Sequence, residues 1–134
     1  MNRDARVGET FTTGFRRAGF AEWNRFAAVN DEFVPIHMDD AEGRAAGYPG
    51  AIGMGRLQWS YVHNLLRDWL AGDGRIVSVA LRFTGPQLKD VEFAPFGRVT
   101  AIRGEEADLD VWIEDAEGAT LASGTATVTL PGRG

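Results

Sequence analysis

The fold is decided by the stretch MGRLQWSYVHNLLRDWL, residues 54–70. Its apolar residues return every three or four positions, which predicts an amphipathic helix. They form two rows, with Trp59, Val62, Leu66 and Trp69 in the first and Leu57, Tyr61, Leu65 and Leu70 in the second. Because two such rows cover much of the helix circumference, we expect other elements to surround this helix on several sides.

After this helix the apolar residues alternate, which is typical of strands. Four such runs are predicted as strands: Arg75–Thr84, Val91–Arg103, Asp108–Glu114 and Thr120–Leu130. Short connections join the last three and therefore predict an antiparallel meander. Pro95 indicates an edge or a bulge, since proline has no N–H to donate to a neighbouring strand. A sheet with one long apolar helix is an α+β architecture, and a sheet curled around that helix is a hot-dog fold.

The first half of the chain is predicted to be mainly helical. A strand is expected at Val7–Arg17, which is rich in β-branched and aromatic residues, and a short helix at Ala21–Asn30. The central proline of Asp31–Asp40 predicts a loop there. A second short helix is expected to begin at an aspartate cap and to run through Ala46, before the glycine-rich turn Pro49–Gly53.

Composition limits the class of protein. The 134 residues and 14.6 kDa match one domain, which we expect to span residues 1–134. With 44% hydrophobic and 25% charged residues, the chain is typical of a globular protein. A net charge of −5 argues against binding to nucleic acid or to anionic membranes. No apolar run reaches the ~20 residues of a membrane span and no apolar signal core is present, so a cytoplasmic protein is expected.

Several kinds of chemistry are excluded or disfavoured by residue content. The chain has no cysteine, which excludes disulfides, thiolate catalysis and cysteine-based metal sites. His37 and His63 lie in neither of the usual metal-binding spacings, so we expect no metal. The glycine loops that bind nucleotide phosphates are also missing, and we expect no cofactor.

The residues suited to catalysis lie in NDEFVPIH, residues 30–37, and in the turn before the long helix. His37 can transfer protons near neutral pH, and a nearby carboxylate, Asp31 or Glu32, can orient the imidazole and share a water molecule. The N-terminus of the long helix offers free N–H groups to a developing oxyanion, and Gly55 allows close approach to them. The pattern favours a site that activates water against a carbonyl-conjugated substrate.

Structural interpretations of the same residues stay open. Asp31 and Glu32 fit a capping or solvated loop position, and His37 fits a helix start bonded to a following aspartate. Gly53 and Gly55 fit a simple tight turn. Four residues are candidate walls of a substrate pocket, although methionine and aromatic residues at helical spacing are more often core. These four are Tyr48, Met54, Trp59 and Tyr61.

The segment resembles the MaoC-like acyl dehydratase family, which includes the R-specific enoyl-CoA hydratases. The family pattern reads roughly Ser-Gly-Asp-x-Asn-Pro-Ile/Leu-His-x-Asp and continues with Ile-x-His-Gly-Met at the start of the central helix. This chain has NDEFVPIHMD at 30–39 and IGMG at 52–55. The likeness continues through LRDW at 66–69, VALRF at 79–83 and ASGTATV at 122–128, and it implies a hot-dog fold.

The resemblance also implies an enzyme that adds water to a 2-enoyl thioester, or removes it from a 3-hydroxyacyl thioester, with acyl-CoA as substrate. The family's catalytic histidine falls on His37, its catalytic aspartate on Glu32 and its oxyanion-binding N–H on Gly55, with Asp31 as the alternative carboxylate. Glu32 and His37 would hold one water, delivering its hydroxyl to C3 and its proton to C2. Candidates for the CoA phosphates are Arg82, Lys89 and Arg98.

Three departures from the family pattern bear on the predicted chemistry: Glu32 replaces aspartate, Val34 replaces asparagine and Met54 replaces histidine. These changes motivate an alternative, a non-catalytic or partner-dependent hot-dog subunit that binds acyl-CoA in a heteromeric hydratase. A hot-dog thioesterase is a third interpretation, against which the Pro35–His37 block argues. Antiparallel edges and a small core favour a homodimer, or a heterodimer with another hot-dog chain.

Overall fold

The computed structural model describes residues 5–131, so residues 1–4 and 132–134 of the predicted domain lie outside the described range. Along this range one short strand is followed by four helices and then by four strands. The helices are α1 (Phe20–Asn30), α2 (Pro35–Met38), α3 (Asp40–Ala45) and α4 (Gly55–Leu70). The strands are β1 (Thr10–Thr12), β2 (Arg75–Phe83), β3 (Phe93–Arg103), β4 (Glu106–Asp115) and β5 (Thr120–Thr129).

The five strands form one antiparallel sheet in the order β1-β3-β4-β5-β2. Strands β3, β4 and β5 are neighbours in the chain and in the sheet, which confirms the predicted meander. Strand β2 occupies one edge, where it pairs with β5 from Arg75↔Thr129 to Phe83↔Ala122. Helix α4 contacts β2, β3 and β4. A long helix against one sheet is the α+β arrangement expected from the sequence.

The main core lies between α4 and the sheet. Val62 and Leu66 of α4 are fully buried and pack in one cluster with sheet residues such as Phe93 and Ile113. Complete burial of one such side chain stabilises the fold by about 1.5–3 kcal/mol. Trp59, which belongs to the predicted apolar row, is instead 43% exposed. Trp59 is more exposed than predicted because the sheet covers the other faces of the helix.

A second, smaller core joins α1 to the start of α4. Trp23 and Ala27 of α1 pack with Ala51 and Met54, and each of the four is at most 1% exposed. This packing holds the segment between α1 and α4, which carries the candidate catalytic residues, against the N-terminal end of the long helix.

The predicted first strand is shorter than expected. Within Val7–Arg17, only β1 forms a ladder, and the chain then makes a single bridge, Arg16↔Phe93. Gly8 and Gly14 both have φ of 93°, a conformation that turns the backbone out of an extended strand. The strand prediction was therefore wrong at both ends.

The predicted loop Asp31–Asp40 contains the short helix α2. Pro35 occupies the first turn of α2, where a missing N–H leaves no helical hydrogen bond unmade. The next helix begins as predicted, because the Asp39 side chain accepts a hydrogen bond from the Ala41 N–H at 2.7 Å. The proline therefore begins a helical turn instead of breaking the chain into a loop.

Pro95 lies at a local edge of the sheet. The β1–β3 ladder ends at Thr12↔Phe96, and Pro95 directs its carbonyl to this side, where it accepts a hydrogen bond from the Thr12 hydroxyl at 2.7 Å. Its missing N–H therefore interrupts no pairing in the ladder. The register shift in β3 lies further along, between Val99 and Ala101.

Candidate active site

The orientation of His37 is set by the segment that leads into α4. Its Nδ1 lies 2.7 Å from the carbonyl oxygen of Ile52. Since a carbonyl oxygen only accepts hydrogen bonds, Nδ1 is the protonated nitrogen, and a neutral His37 carries its lone pair on Nε2. The imidazole is thus arranged to accept a proton at Nε2.

The two candidate carboxylates have different surroundings. Asp31 ends α1 in the left-handed conformation, with φ of 53°, and is exposed. Glu32 is half-buried, and its N–H donates to the Ala27 carbonyl at 3.0 Å. Its Oε2 is enclosed and accepts no hydrogen bond from residues 5–131. An enclosed carboxylate oxygen that accepts no hydrogen bond is unfavourable. A hydrogen-bond donor such as a water molecule would therefore stabilise Glu32.

The N-terminal end of α4 has free backbone donors. Gly55 is the first helical residue, and Met54 before it supplies no side-chain cap. The N–H groups of this first turn therefore remain available, at the positive end of the helix dipole. A Cβ on Gly55 would lie 3.1 Å from Cε2 of the Phe83 ring, so glycine lets the aromatic ring approach the helix start closely.

His37 and Gly55 both line a cavity of about 410 Å³. Its volume lies in the range of about 300–1,000 Å³ that is usual for small-molecule sites. The remaining lining residues come from the segment before α4, from α4 itself and from the end of β2. They are Tyr48, Ile52, Gly53, Gln58, Phe83, Thr84, Gly85 and Pro86. Neither Asp31 nor Glu32 is among the lining residues.

Of the four candidate wall residues, Tyr48 lies at this cavity. Met54 is fully buried in the second core. Tyr61 is 6% exposed and packs against Phe93, with ring centroids 4.9 Å apart and the Arg16 guanidinium above its ring. Burial raises the pKa of the Tyr61 phenol, so it stays neutral. Met54 and Tyr61 are therefore core residues and do not line the cavity.

Trp59 and His63 lie together on the outer side of α4, with ring centroids 5.8 Å apart. They line two open grooves of about 580 and 620 Å³, both larger than the cavity at His37. Burial, and then the neighbouring Arg67, lowers the pKa of His63, so its imidazole is neutral at pH 7. The candidate catalytic residues His37 and Gly55 therefore line a smaller pocket than these two grooves.

The three candidate phosphate-binding residues lie outside the cavity, and two of them form ion pairs with other residues. Lys89 pairs with Asp40 at 2.6 Å, and Arg98 pairs with Asp110 at 3.1 Å. Arg82 is exposed on β2, next to Phe83, and strand alternation directs these neighbours to opposite faces of the sheet. None of the three lines the cavity.

Sequence reasoning missed Gln58 and the segment 83–86. Gln58 is 3% exposed and lines the cavity three residues after Gly55. A polar residue on the inner side of an apolar helix was the available signal. The segment 83–86 offers no such signal, because its position depends on how β2 lies beside α4.

Among residues 5–131, no group of three or more His, Asp or Glu side chains is arranged to hold a metal ion. In the same range, no helix has the length and apolar character to cross a membrane.

Comparison with known proteins identifies relatives over nearly the whole chain, although no protein-family model matches it. The (R)-specific enoyl-CoA hydratase of Aeromonas caviae is 34% identical over 119 residues, covering 87% of this chain and 89% of that protein. The solved structure of the A. caviae (R)-hydratase involved in PHA biosynthesis has a TM-score of 0.87 at 31% identity. The matched region covers 95% of this chain and 98% of the A. caviae chain.

Other solved structures share the fold at lower identity. A MaoC-like dehydratase has a TM-score of 0.87 at 19% identity, covering 95% of this chain and 41% of its own. The ChsH1-ChsH2 complex from Mycobacterium tuberculosis has a TM-score of 0.84 at 18% identity, covering 92% and 97%. The predicted hot-dog fold is confirmed by these similarities. With 34% identity to a relative matched along most of both chains, this chain belongs to the (R)-specific enoyl-CoA hydratase family of MaoC-like hot-dog proteins.

Proposed function

We propose that this chain hydrates a trans-2-enoyl thioester, or dehydrates the 3-hydroxyacyl thioester, with acyl-CoA as the substrate. The observation that carries the proposal is the cavity shared by His37 and the Gly55 end of α4. It joins a group able to accept a proton with donors suited to a carbonyl oxygen, in a chain of a hydratase family.

His37 acts through Nε2. Because Nδ1–H donates to Ile52, the Nε2 lone pair is free to take a proton from water. Glu32 supplies a second contact to the same water through its unpartnered Oε2, after a side-chain rotation that brings the carboxylate to the cavity. Asp31 is the weaker candidate, since it is exposed at the end of α1.

The reaction balances with water as the added molecule. One O–H bond of water breaks while the water oxygen bonds to C3, and the C2=C3 π electrons move towards the thioester oxygen. His37 holds the proton released from water at Nε2 and returns it to C2 of the resulting enolate, and the thioester carbonyl re-forms. Acid–base assistance of this kind contributes about 10²–10⁴-fold to the rate.

Gly55 stabilises the enolate oxygen through its backbone N–H, aided by the helix dipole. Such an oxyanion contact contributes about 2.7–4 kcal/mol to the transition state. In this proposal Tyr48 and the segment 83–86 contact the substrate, whereas Met54 and Tyr61 are buried core residues that do not line the cavity.

A dimer is the proposed assembly. The edge strand β2 carries exposed Val77 (50%) and Phe83 (46%), and Trp59 (43%) lies near it on α4. An exposed apolar edge strand tends to pair with another chain. A second copy is the simplest partner, and another hot-dog chain is the alternative.

The absence of cysteine fits a reducing compartment, and we propose a cytoplasmic location.

One observation favours a second candidate function, that of a partner-dependent subunit. Glu32 does not line the cavity, and it replaces the aspartate of the family pattern. The ChsH1-ChsH2 structure is a complex of two different proteins. In a comparable complex of this chain, a second hot-dog chain would supply the missing carboxylate.

The test is a spectrophotometric enoyl-CoA hydration assay with the purified chain, across acyl chain lengths. Loss of the enoyl absorbance by the chain alone supports the hydratase. Turnover only after addition of a second hot-dog chain supports the partner-dependent subunit. Release of free CoA thiol, detected with a thiol reagent, would contradict both and indicate a thioesterase.

A further inference from the structure

We propose that the side-chain amide of Gln58 donates a hydrogen bond to the thioester oxygen, beside the backbone N–H of Gly55. Gln58 would thereby be a second donor for the enolate oxygen and a further catalytic residue. The inference rests on the proposed hydratase function and concerns the same cavity.

Burial distinguishes Gln58 from the other polar residues of the described chain. Within residues 5–131, only Gln58 and Gln87 are buried polar residues, with exposures of 3% and 1%. Gln58 lines the cavity with His37 and Gly55, whereas Gln87 packs against Gly53 and is not a lining residue. A buried carboxamide normally has hydrogen-bond partners, so the surroundings of Gln58 bear directly on its role.

The carboxamide of Gln58 has no partner within residues 5–131. Its Oε1 is enclosed and accepts no hydrogen bond there. Its NH₂ group makes none either, but it is not among the enclosed atoms. Because Gln58 lines the cavity, the accessible NH₂ group is the end that reaches it. Two N–H donors are therefore available to a molecule bound in the cavity.

Helix geometry brings this amide to the start of α4. Gln58 follows Gly55 by three residues and lies on the same side of the helix. Helical side chains lean towards the N-terminus, so the Gln58 side chain extends over the turn that begins at Gly55. Gly55 has no Cβ to obstruct it. The backbone N–H and the side-chain NH₂ group thus serve the same region of the cavity.

Such a pair of donors suits the charge that develops during hydration. The thioester oxygen is nearly neutral in the substrate and carries negative charge in the enolate, so a donor aimed at it acts mainly in the transition state. Loss of one comparable side-chain donor reduces kcat by about 10²–10³-fold. The uncharged amide donates its hydrogen bond without a change in its own protonation state.

The experiment compares Gln58→Leu, Gln58→Glu and the wild type in the enoyl-CoA hydration assay. Gln58→Leu removes the donor and is expected to lower kcat by about 10²-fold with little change in KM. Gln58→Glu keeps the shape of the side chain but places an acceptor near the enolate oxygen, so its kcat should fall at least as far. Asn64→Leu is the matched control, because Asn64 is an exposed carboxamide on the same helix, away from the cavity.

A spectroscopic measurement tests the hydrogen bond without requiring turnover. Isotope-edited infrared spectra of bound enoyl-CoA, labelled with ¹³C at the thioester carbonyl, should show a lower carbonyl frequency on the wild type than on Gln58→Leu. Circular dichroism and thermal unfolding establish that each variant is folded. If Gln58→Leu does not fold, the smaller change Gln58→Met takes its place.

The outcomes separate this inference from the proposed function. A wild type that hydrates enoyl-CoA, with Gln58→Leu equally active and an unchanged carbonyl frequency, would overturn the role of Gln58 and leave the hydratase intact. A wild type without turnover argues against the hydratase, and a carbonyl shift that depends on Gln58 would still support the donor. Equal losses of kcat in Asn64→Leu and Gln58→Leu would also contradict the proposal.

Discussion

The imidazole of His37 donates from Nδ1 to the carbonyl oxygen of Ile52 at 2.7 Å. Ile52 is itself held in place, because its N–H donates to the Ile36 carbonyl at 3.1 Å and the residue pairs with Leu88. Three residues later the chain enters α4 at Gly55. The segment that orients the imidazole is thus continuous with the helix end that offers the backbone donors.

Replacing His37 with glutamine should nearly abolish hydration. The substitution removes the Nε2 lone pair, and the expected loss in kcat is about 10²–10⁴-fold. The fold should persist, since His37 is only partly buried, and thermal unfolding checks this. His63→Gln is the matched control, and a comparable loss of kcat in that variant would contradict the assignment of His37.

The carboxylates at 31 and 32 are distinguished by paired variants. Glu32→Gln is expected to abolish turnover, whereas Asp31→Asn should have a smaller effect, because Asp31 is exposed. Glu32→Asp should preserve or improve activity if Glu32 takes the role of the family's aspartate. Steady-state kinetics of the three purified variants provide the measurement. A greater loss of turnover in Asp31→Asn than in Glu32→Gln would instead assign the catalytic carboxylate to Asp31.

A methyl group on Gly55 should reach the Phe83 ring. The added Cβ would lie 3.1 Å from the ring, so Gly55→Ala requires Phe83 to move outward, narrowing or deforming the cavity. We expect a folded protein with kcat/KM reduced about tenfold, the effect of roughly 1.4 kcal/mol. Adding Phe83→Leu should restore part of the loss. Strictly additive losses in this double-mutant cycle would show that the two positions are not coupled.

An aspartate at Val77 should weaken dimerisation. Val77 is half exposed on the edge strand β2, where two facing copies would bring the new charges together. Light scattering after size-exclusion chromatography should give a monomer mass for Val77→Asp. Val29→Asp is the control, because Val29 is 84% exposed on α1, away from this edge. A dimer that survives in Val77→Asp would place the interface elsewhere.

The Asp40–Lys89 pair should make stability depend on pH. The Lys89 ammonium, 2.6 Å from the Asp40 carboxylate, together with the Ala51 N–H, holds the pKa of Asp40 below its usual value. The stabilisation is full above the pKa in the unfolded chain and is lost as the pH falls through the lower pKa of the folded state. The Tm deficit of Asp40→Asn should therefore be larger at about pH 7 than at about pH 3. A deficit independent of pH would contradict this role.

Sequence periodicity was sufficient for the larger elements, because helices and strands of this length have one buried side. The pattern over residues 54–70 predicted α4 to within one residue, and the alternating runs predicted β2 to β5. Short elements were less predictable. The turn α2 forms at a proline that also fits a loop, and tertiary packing decides between the two.

The residue types for the proposed chemistry were determined by the sequence alone, since the spacing of His37, Glu32 and Gly55 is a property of the chain. Only the tertiary structure decided what each side chain faces. It buried Met54 and Tyr61, exposed Trp59 and turned Gln58 towards the cavity. The physical reason is that periodicity indicates the side of a helix that is buried, whereas the cavity forms where α4, the end of β2 and the His37 segment meet. That meeting depends on contacts between residues distant in the chain.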